Sequence, residues 1–273
     1  MLKENFLKEM IAEDVGRGDL FARVSESKPI RAYIIAKSDG IFSGKEYVDV
    51  LTKMYDIAFE WKAEDGDSFK EGDKLLWVSG DSRVILSLER SILDIILHTS
   101  SIATLTAKYV DAIKETGVKL LDTRKTRPLL RELEKYAVRC GGGLNHRMGL
   151  DDCLMLKDTH LKTIENLDAF MKEVRQKIPF TSKVEIECET VEMVKHAMEA
   201  GADIVMCDNM STEETKEAVE YRNVHYPHIL IEASGNVTLE TIASIAQTGV
   251  DAISSGSIIH QANWIDLSMR VEG

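Results

Sequence analysis

The chain has 273 residues, 44% hydrophobic and 29% charged, with a formal net charge of −12. That length allows one large domain or two smaller ones with ample core. The acidic balance argues against nucleic acid or an anionic membrane as partner. No run of about 18 apolar residues suggests a membrane span, and the opening MLKENFLKEMIAED lacks the apolar core of a signal peptide. Four scattered cysteines without a CxxC read as reduced thiols of a cytoplasmic protein.

Residues 5–14 read as a helix with Asn5 as N-cap and Phe6, Leu7, Met10 and Ile11 as its apolar stripe; GRGDL then ends it. Residues 31–37 are strand-like and 44–55 helical. Strands at 57–61 and 74–79 flank the turn-rich DGDSFKEGD. Residues 84–97 and 103–114 read as two helices separated by His98-Thr99-Ser100-Ser101. The first is apolar almost all round, so it belongs in a core or an interface. Arg90 on it needs either a partner, such as Glu89, or a wet cavity.

From residue 118 a strand-then-helix beat sets in. The predicted strands are 118–122, 153–157, 184–188, 203–208, 229–233 and 251–255, and the helices 129–138, 167–178, 191–200, 212–224 and 239–248. Such alternation implies parallel strands with crossover helices, and Gly117, Gly201 and Gly249 fall where helix C-termini favour glycine. Six strands suit a doubly wound open sheet or a barrel. Polar residues at every strand end (Asp122/Arg124, Lys157/Asp158, Glu187, Asp208, Glu232/Ser234, Ser255/Gly256) favour the barrel, whose sites lie at the carboxyl ends of strands.

The stretch 121–160 carries eight cations and six acids, net +2, so the rest of the chain carries −14. A cationic island in an acidic protein suits a small anion, since a polyanion would need a broad basic surface. Arg90, Arg124, His146, Arg147 and Lys157 are candidate carboxylate ligands, arginine through its planar fork and lysine as a compact charge. SGNVT from Ser234 and SGS from Ser255 offer backbone N–H groups to a phosphate in the two loops where such barrels often hold one. Glu187 and Asp208, at neighbouring strand ends, suit Mg2+ on a phosphorylated ligand, ribose hydroxyls, a developing cation, or plain ion pairs.

DTRKT, EKYAVRCGGGLNHRMGL, LMLKDTH, VEIECE, GADIVMCDN and EASGN closely resemble the quinolinate phosphoribosyltransferase family, from EDVGRGD near the N-terminus to SIIHQA near the C-terminus. The resemblance implies an α/β fold: an N-terminal α/β sandwich domain (1–103, with 263–273 packing back on it) and an incomplete α/β barrel of about six parallel strands (104–262). It further implies transfer of phosphoribose from phosphoribosyl pyrophosphate to quinolinate with decarboxylation, in the biosynthesis of NAD, in a Mg2+-dependent cytoplasmic homodimer with shared sites and no nucleic-acid or membrane partner. By resemblance, Arg90 reaches quinolinate across the subunit interface, and Arg124, His146, Arg147 and Lys157 line its pocket. Lys125 lies near the pyrophosphate. Glu187 and Asp208 are the catalytic acids near ribose and metal, acting on the ion directly or through water or substrate. Ser234, Gly235 and Gly256 form the 5′-phosphate loops, with His260 close by. Three departures stand out: Thr159 where the family has Asn, Asn236 where it has Gly, and Arg127-Pro128-Leu129 where it commonly has Thr-Pro-Gly. No acidic pair with a Thr/Gly loop, the mark of type I phosphoribosyltransferases, is visible. The rival readings are a phosphoribosyltransferase for a related ring acid without decarboxylation, and a non-catalytic sugar-phosphate-binding protein.

Overall fold

Two units divide the chain in the computed structural model, which describes residues 2–273. One takes the residues up to Ala107 with Tyr136–Gly142 and Ala262–Gly273; the other takes Lys108–Lys135 and Gly143–Gln261.

The first unit contains α1 (Leu2–Val15), α2 (Leu20–Val24), β1 (Pro29–Ala36), β2 (Gly40–Ile41), α3 (Lys45–Val48), α4 (Leu51–Met54), β3 (Ile57–Trp61), β4 (Ser68–Phe69) and β5 (Lys74–Asp81). Helix α1 begins before Asn5, which therefore lies inside the helix and is not its cap. Residues 44–55 form two short helices instead of one. Asp49, between them, accepts the Trp61 indole N–H at 2.7 Å through its side chain and the Thr52 hydroxyl through its carbonyl. The strand Leu267–Val271 runs antiparallel beside β1, which pairs with β5, which pairs with β3. Alternate residues of β1 (Ala32, Ile34, Ala36) are buried, as a sheet with one covered face requires.

The two helices expected at 84–97 and 103–114 are one, α5 (Ser82–Ile113). The polar run between them does not break it, because hydroxyls can bond the carbonyl one turn back. Thr99 Oγ1 donates to Ile95 O at 2.7 Å and Ser101 Oγ to Leu97 O at 2.6 Å, so both stay buried and satisfied. Ile85, Leu88, Ile92 and Ile96 form the buried stripe at helical spacing.

The second unit contains β6 (Lys119–Leu121), the first half of α6 (Arg131–Cys140), β7 (Leu154–Leu156), α7 (Asp158–Leu161), α8 (Leu167–Lys177), β8 (Val184–Cys188), α9 (Val191–Glu199), β9 (Ile204–Asp208), α10 (Thr212–His225), β10 (Leu230–Ser234), α11 (Ile242–Ala246), β11 (Ala252–Ser254) and α12 (Ser257–His260). Its six strands are all parallel, in the order β6-β11-β10-β9-β8-β7. Among the described residues β6 and β7 do not pair, so the barrel is incomplete. Register places Ser234 beside Asp208 and Glu187 beside Met206. Parallel pairing thus puts all six carboxyl ends on one side, where the chemistry-bearing residues gather.

Between β6 and α6, Leu129 takes φ 65° and is 96% exposed. An L-residue there costs ~1–2 kcal/mol, which explains why glycine is usual at this point of the motif. Leu129→Gly is expected to raise the unfolding free energy by about 0.5–1 kcal/mol, the relief less the extra freedom of glycine in the unfolded chain. A higher urea midpoint checks it; a lower one would mean that the extra freedom of glycine in the unfolded chain outweighs the relieved strain.

Candidate active site

A cavity of about 390 Å³ opens at the carboxyl ends of the parallel strands. Thr123, Arg124 and Lys125 reach it from the end of β6, His146 and Arg147 from the segment after α6, and Met155 and Lys157 from β7 and its end. Glu187 comes from β8, Met206, Asp208 and Asn209 from β9 and its end, Ser234, Gly235 and Asn236 from β10 and its loop, and Ser254 from β11. Among the described residues, Arg124, Lys125 and Arg147 have no carboxylate within ion-pair distance. Burial and the neighbouring Arg124 lower the proton affinity of Arg147. Like charges that no carboxylate pairs on a cavity wall favour an anionic ligand.

The segment carrying His146 and Arg147 is anchored by a buried ion pair. Asp122 and Lys135, both fully buried, bond each other, and Asp122 also accepts from Asn145 Nδ2 at 2.6 Å and from the His146 backbone N–H at 2.9 Å. Lys135 Nζ donates to His146 O at 2.8 Å. Arg147 is fixed further on, its guanidinium donating to Cys153 O at 2.9 Å.

Below this segment His146 Nε2 stands 3.2 Å from a carboxylate oxygen of Glu185 and 3.2 Å from one of Glu232, both acids being buried. A second cavity of about 370 Å³ lies against the same trio, lined also by Lys183 and Asp152. The three donor groups are close enough for a metal ion, with ligand atoms within 4.8 Å of one another. The imidazole argues otherwise. Its Nδ1 accepts the Arg147 backbone N–H at 2.7 Å, so the ring proton belongs on Nε2, where a metal would bind. The cluster therefore holds protons. Burial opposes a charge on His146 while Glu185 and Glu232 favour one; with the Arg147 N–H at Nδ1 the ring holds a single proton, on Nε2 between the two acids. Burial likewise pushes Glu185 up.

Lys157 Nζ pairs with Glu187, and Asn209 Nδ2 donates to Asp208 at 3.0 Å. His160 Nδ1 accepts the Lys157 backbone N–H at 3.0 Å, a role in holding the β7 end. Glu187 and Asp208 offer two carboxylates with hard oxygen donors. That set suits Mg2+, which takes few protein ligands and completes its shell with water and phosphate. In the loop after β10, Gly235 and Asn236 both have positive φ, 94° and 47°, so this loop turns through the left-handed region that glycine and asparagine tolerate. A Cβ on Gly256 would stand 3.2 Å from Lys125 Cδ and 3.4 Å from His260 Cδ2, so that glycine lets the second loop close on the lysine.

Of the residues singled out by sequence, Arg124, Lys125, His146, Arg147, Lys157, Glu187, Asp208, Ser234 and Gly235 share the cavity wall. Gly256 and His260 pack beside Lys125. Arg90 is not in the lining; it is exposed on α5 and bonds Asp94 at 3.2 Å. Sequence reasoning missed Glu185 and Lys135. The alternation of β8 could have found Glu185, which lies two residues before Glu187 and so faces the same way.

Two family models match the chain: Quinolinate phosphoribosyl transferase, C-terminal domain, over residues 102–270, and its N-terminal domain over 19–100. A protein of Methanothermobacter thermautotrophicus named as a nicotinate-nucleotide pyrophosphorylase (carboxylating) is 38% identical, over 98% of this chain and 99% of its own. One of Bacillus subtilis with the same name is 37% identical, over 98% of this chain and 93% of its own. The solved nicotinate-nucleotide pyrophosphorylase of Francisella tularensis superposes with a TM-score of 0.93 at 34% identity, over 99% of this chain and 96% of that one.

Proposed function

The chain belongs to the quinolinate phosphoribosyl transferase family, and from that premise we infer that it transfers phosphoribose from phosphoribosyl pyrophosphate to quinolinate, with loss of CO2, to give nicotinate mononucleotide and pyrophosphate for NAD biosynthesis. The observation that carries this reading is a single cavity with unpaired cations on one part of its wall and two acids on another.

The pyridine nitrogen attacks the anomeric carbon as the bond to pyrophosphate breaks, and positive charge develops on the ribose. Glu187 and Asp208 stabilise that charge. Arg124, Arg147 and Lys157 orient the two carboxylates, with Lys157 aimed by its pairing to Glu187. His146 lines the pocket with both ring nitrogens already engaged, so its part is to shape the floor and hold Arg147. Lys125 meets the leaving pyrophosphate, and the loops at Ser234–Gly235 and Gly256, with His260 beside them, hold the 5′-phosphate. Glu187 and Asp208 would hold Mg2+, which would supply compact positive charge to balance the leaving group. The ribosylated ring is an electron sink, so the carboxylate beside the nitrogen leaves as CO2 and the ring carbon takes up a proton. The cations must position that group without gripping it more tightly than the transition state.

We further propose a homodimer in which Arg90 enters the partner's site. Its exposure on α5, away from the cavity lining, supports this. Four cysteines without a disulfide support a cytoplasmic setting.

With quinolinate labelled at the carboxylate next to nitrogen, labelled CO2 and pyrophosphate should appear in equal amounts. Turnover of nicotinate alone, without CO2, would overturn the substrate assignment. Arg90→Ala and Arg147→Ala proteins should each be inactive but folded, and mixing them should restore up to about a quarter of the wild-type activity through heterodimers with one intact site. No recovery on mixing would count against the shared site.

A further inference from the structure

We propose that Asn236 is a positioning residue for the sugar-phosphate substrate, acting on Asp208 through a directional relay of side-chain amides. The inference rests on the reading of Asp208 as an acid that serves the ribose. Asn236 Nδ2 donates to Asn209 Oδ1 at 2.9 Å, and Asn209 Nδ2 donates to Asp208 Oδ2 at 3.0 Å. Asp208, Asn209, Gly235 and Asn236 all line the main cavity.

The direction of the relay follows from hydrogen-bond capacity. An ionised carboxylate only accepts, so Asn209 must turn its NH2 toward Asp208 and its carbonyl oxygen toward residue 236. Only a donor at 236 then completes the chain. Asn236 supplies one because its backbone sits at φ 47°, and Asn209 meets it because its own sits at φ 55°. Asparagine is among the few residues that adopt this conformation at small cost. The backbone keeps the two loops in step: the Asn209 N–H donates to Ser234 O at 2.9 Å, and a side chain at Gly235 would run into Asn209. The loop after β10 thus fixes the rotamer of Asn209, and through it the carboxylate of Asp208. Glycine at 236 would leave the loop its shape and leave Asn209 Oδ1 without its donor.

The test is a double-mutant cycle on Asn236→Gly and Asn209→Ala, with kinetics for both substrates, calorimetric binding of phosphoribosyl pyrophosphate alone, and thermal melts. Asn236→Gly should raise KM and Kd for phosphoribosyl pyrophosphate about five- to tenfold, the size of one hydrogen bond, with KM for quinolinate changed less than about twofold. Asn209→Ala should lose at least as much, and the double variant about the same as Asn209→Ala alone. Multiplying effects, or an Asn236→Gly protein with unchanged affinity for phosphoribosyl pyrophosphate, would overturn the relay. A melting change without the split between the two substrates would overturn it too, by making Asn236 merely structural. Binding keeps the two inferences apart: a wild-type protein that binds phosphoribosyl pyrophosphate yet makes no mononucleotide refutes the proposed activity, while the cycle on Kd still decides the relay.

Discussion

The ion pair between Asp122 and Lys135 is the constraint on which the site depends. Both side chains are fully buried, and burial alone pushes the aspartate up and the lysine down, toward their neutral forms. Their mutual bond, with Asn145 and the His146 backbone bonding to Asp122, opposes this, burial being the larger influence. Breaking one partner of such a pair costs about 3–5 kcal/mol, because the other charge is left stranded. The pair joins the end of β6 and the segment 145–147 to helix α6, so two parts of the cavity wall are fastened to one helix.

From that fastening the electrostatics of the unit fall into layers. Unpaired cations occupy the cavity wall, where an anion can reach them, while Glu185 and Glu232 lie buried against His146. A proton on Nε2 and the backbone N–H at Nδ1 hold the imidazole from opposite sides. The ring cannot turn without breaking one of these contacts, and Arg147 is attached to it through the peptide. The acids on the cavity wall behave differently, because Glu187 is partnered by Lys157 and Asp208 by Asn209, each through a side chain that the ligand can also approach. One set of acids serves rigidity and the other is placed for chemistry.

Much of this was legible in the sequence because strand and helix periods differ. All six parallel strands were found within a residue or two of their observed bounds, and nine site residues proved to share one wall. What escaped had a physical reason. The division of α5 failed because a Thr/Ser run reads as a break, whereas these hydroxyls bond carbonyls one turn back. Lys135 entered the sequence reading only as one of the eight cations of the stretch 121–160; its burial depends on Asp122, thirteen residues earlier, and no local pattern reports such a pairing. Glu185 was hidden in an apolar strand, where alternation alone does not tell a buried acid from a functional one.

The departures from the family pattern also find an account in the backbone. Leu129 and Asn236 stand where glycine is usual, and both have positive φ, so the loops keep the glycine conformation after losing the glycine. Asparagine tolerates that state; leucine does so only under constraint. The constraint is in the same loop. Arg127 donates its backbone N–H to Glu134 Oε2 at 2.8 Å and its guanidinium to Oε1 at 2.7 Å, clasping a fully buried carboxylate on α6. A threonine at that position has no guanidinium and could supply only the backbone half of the clasp. Arg127 and Leu129 are thus best understood as one change, in which a stronger loop closure offsets the strain that the leucine brings.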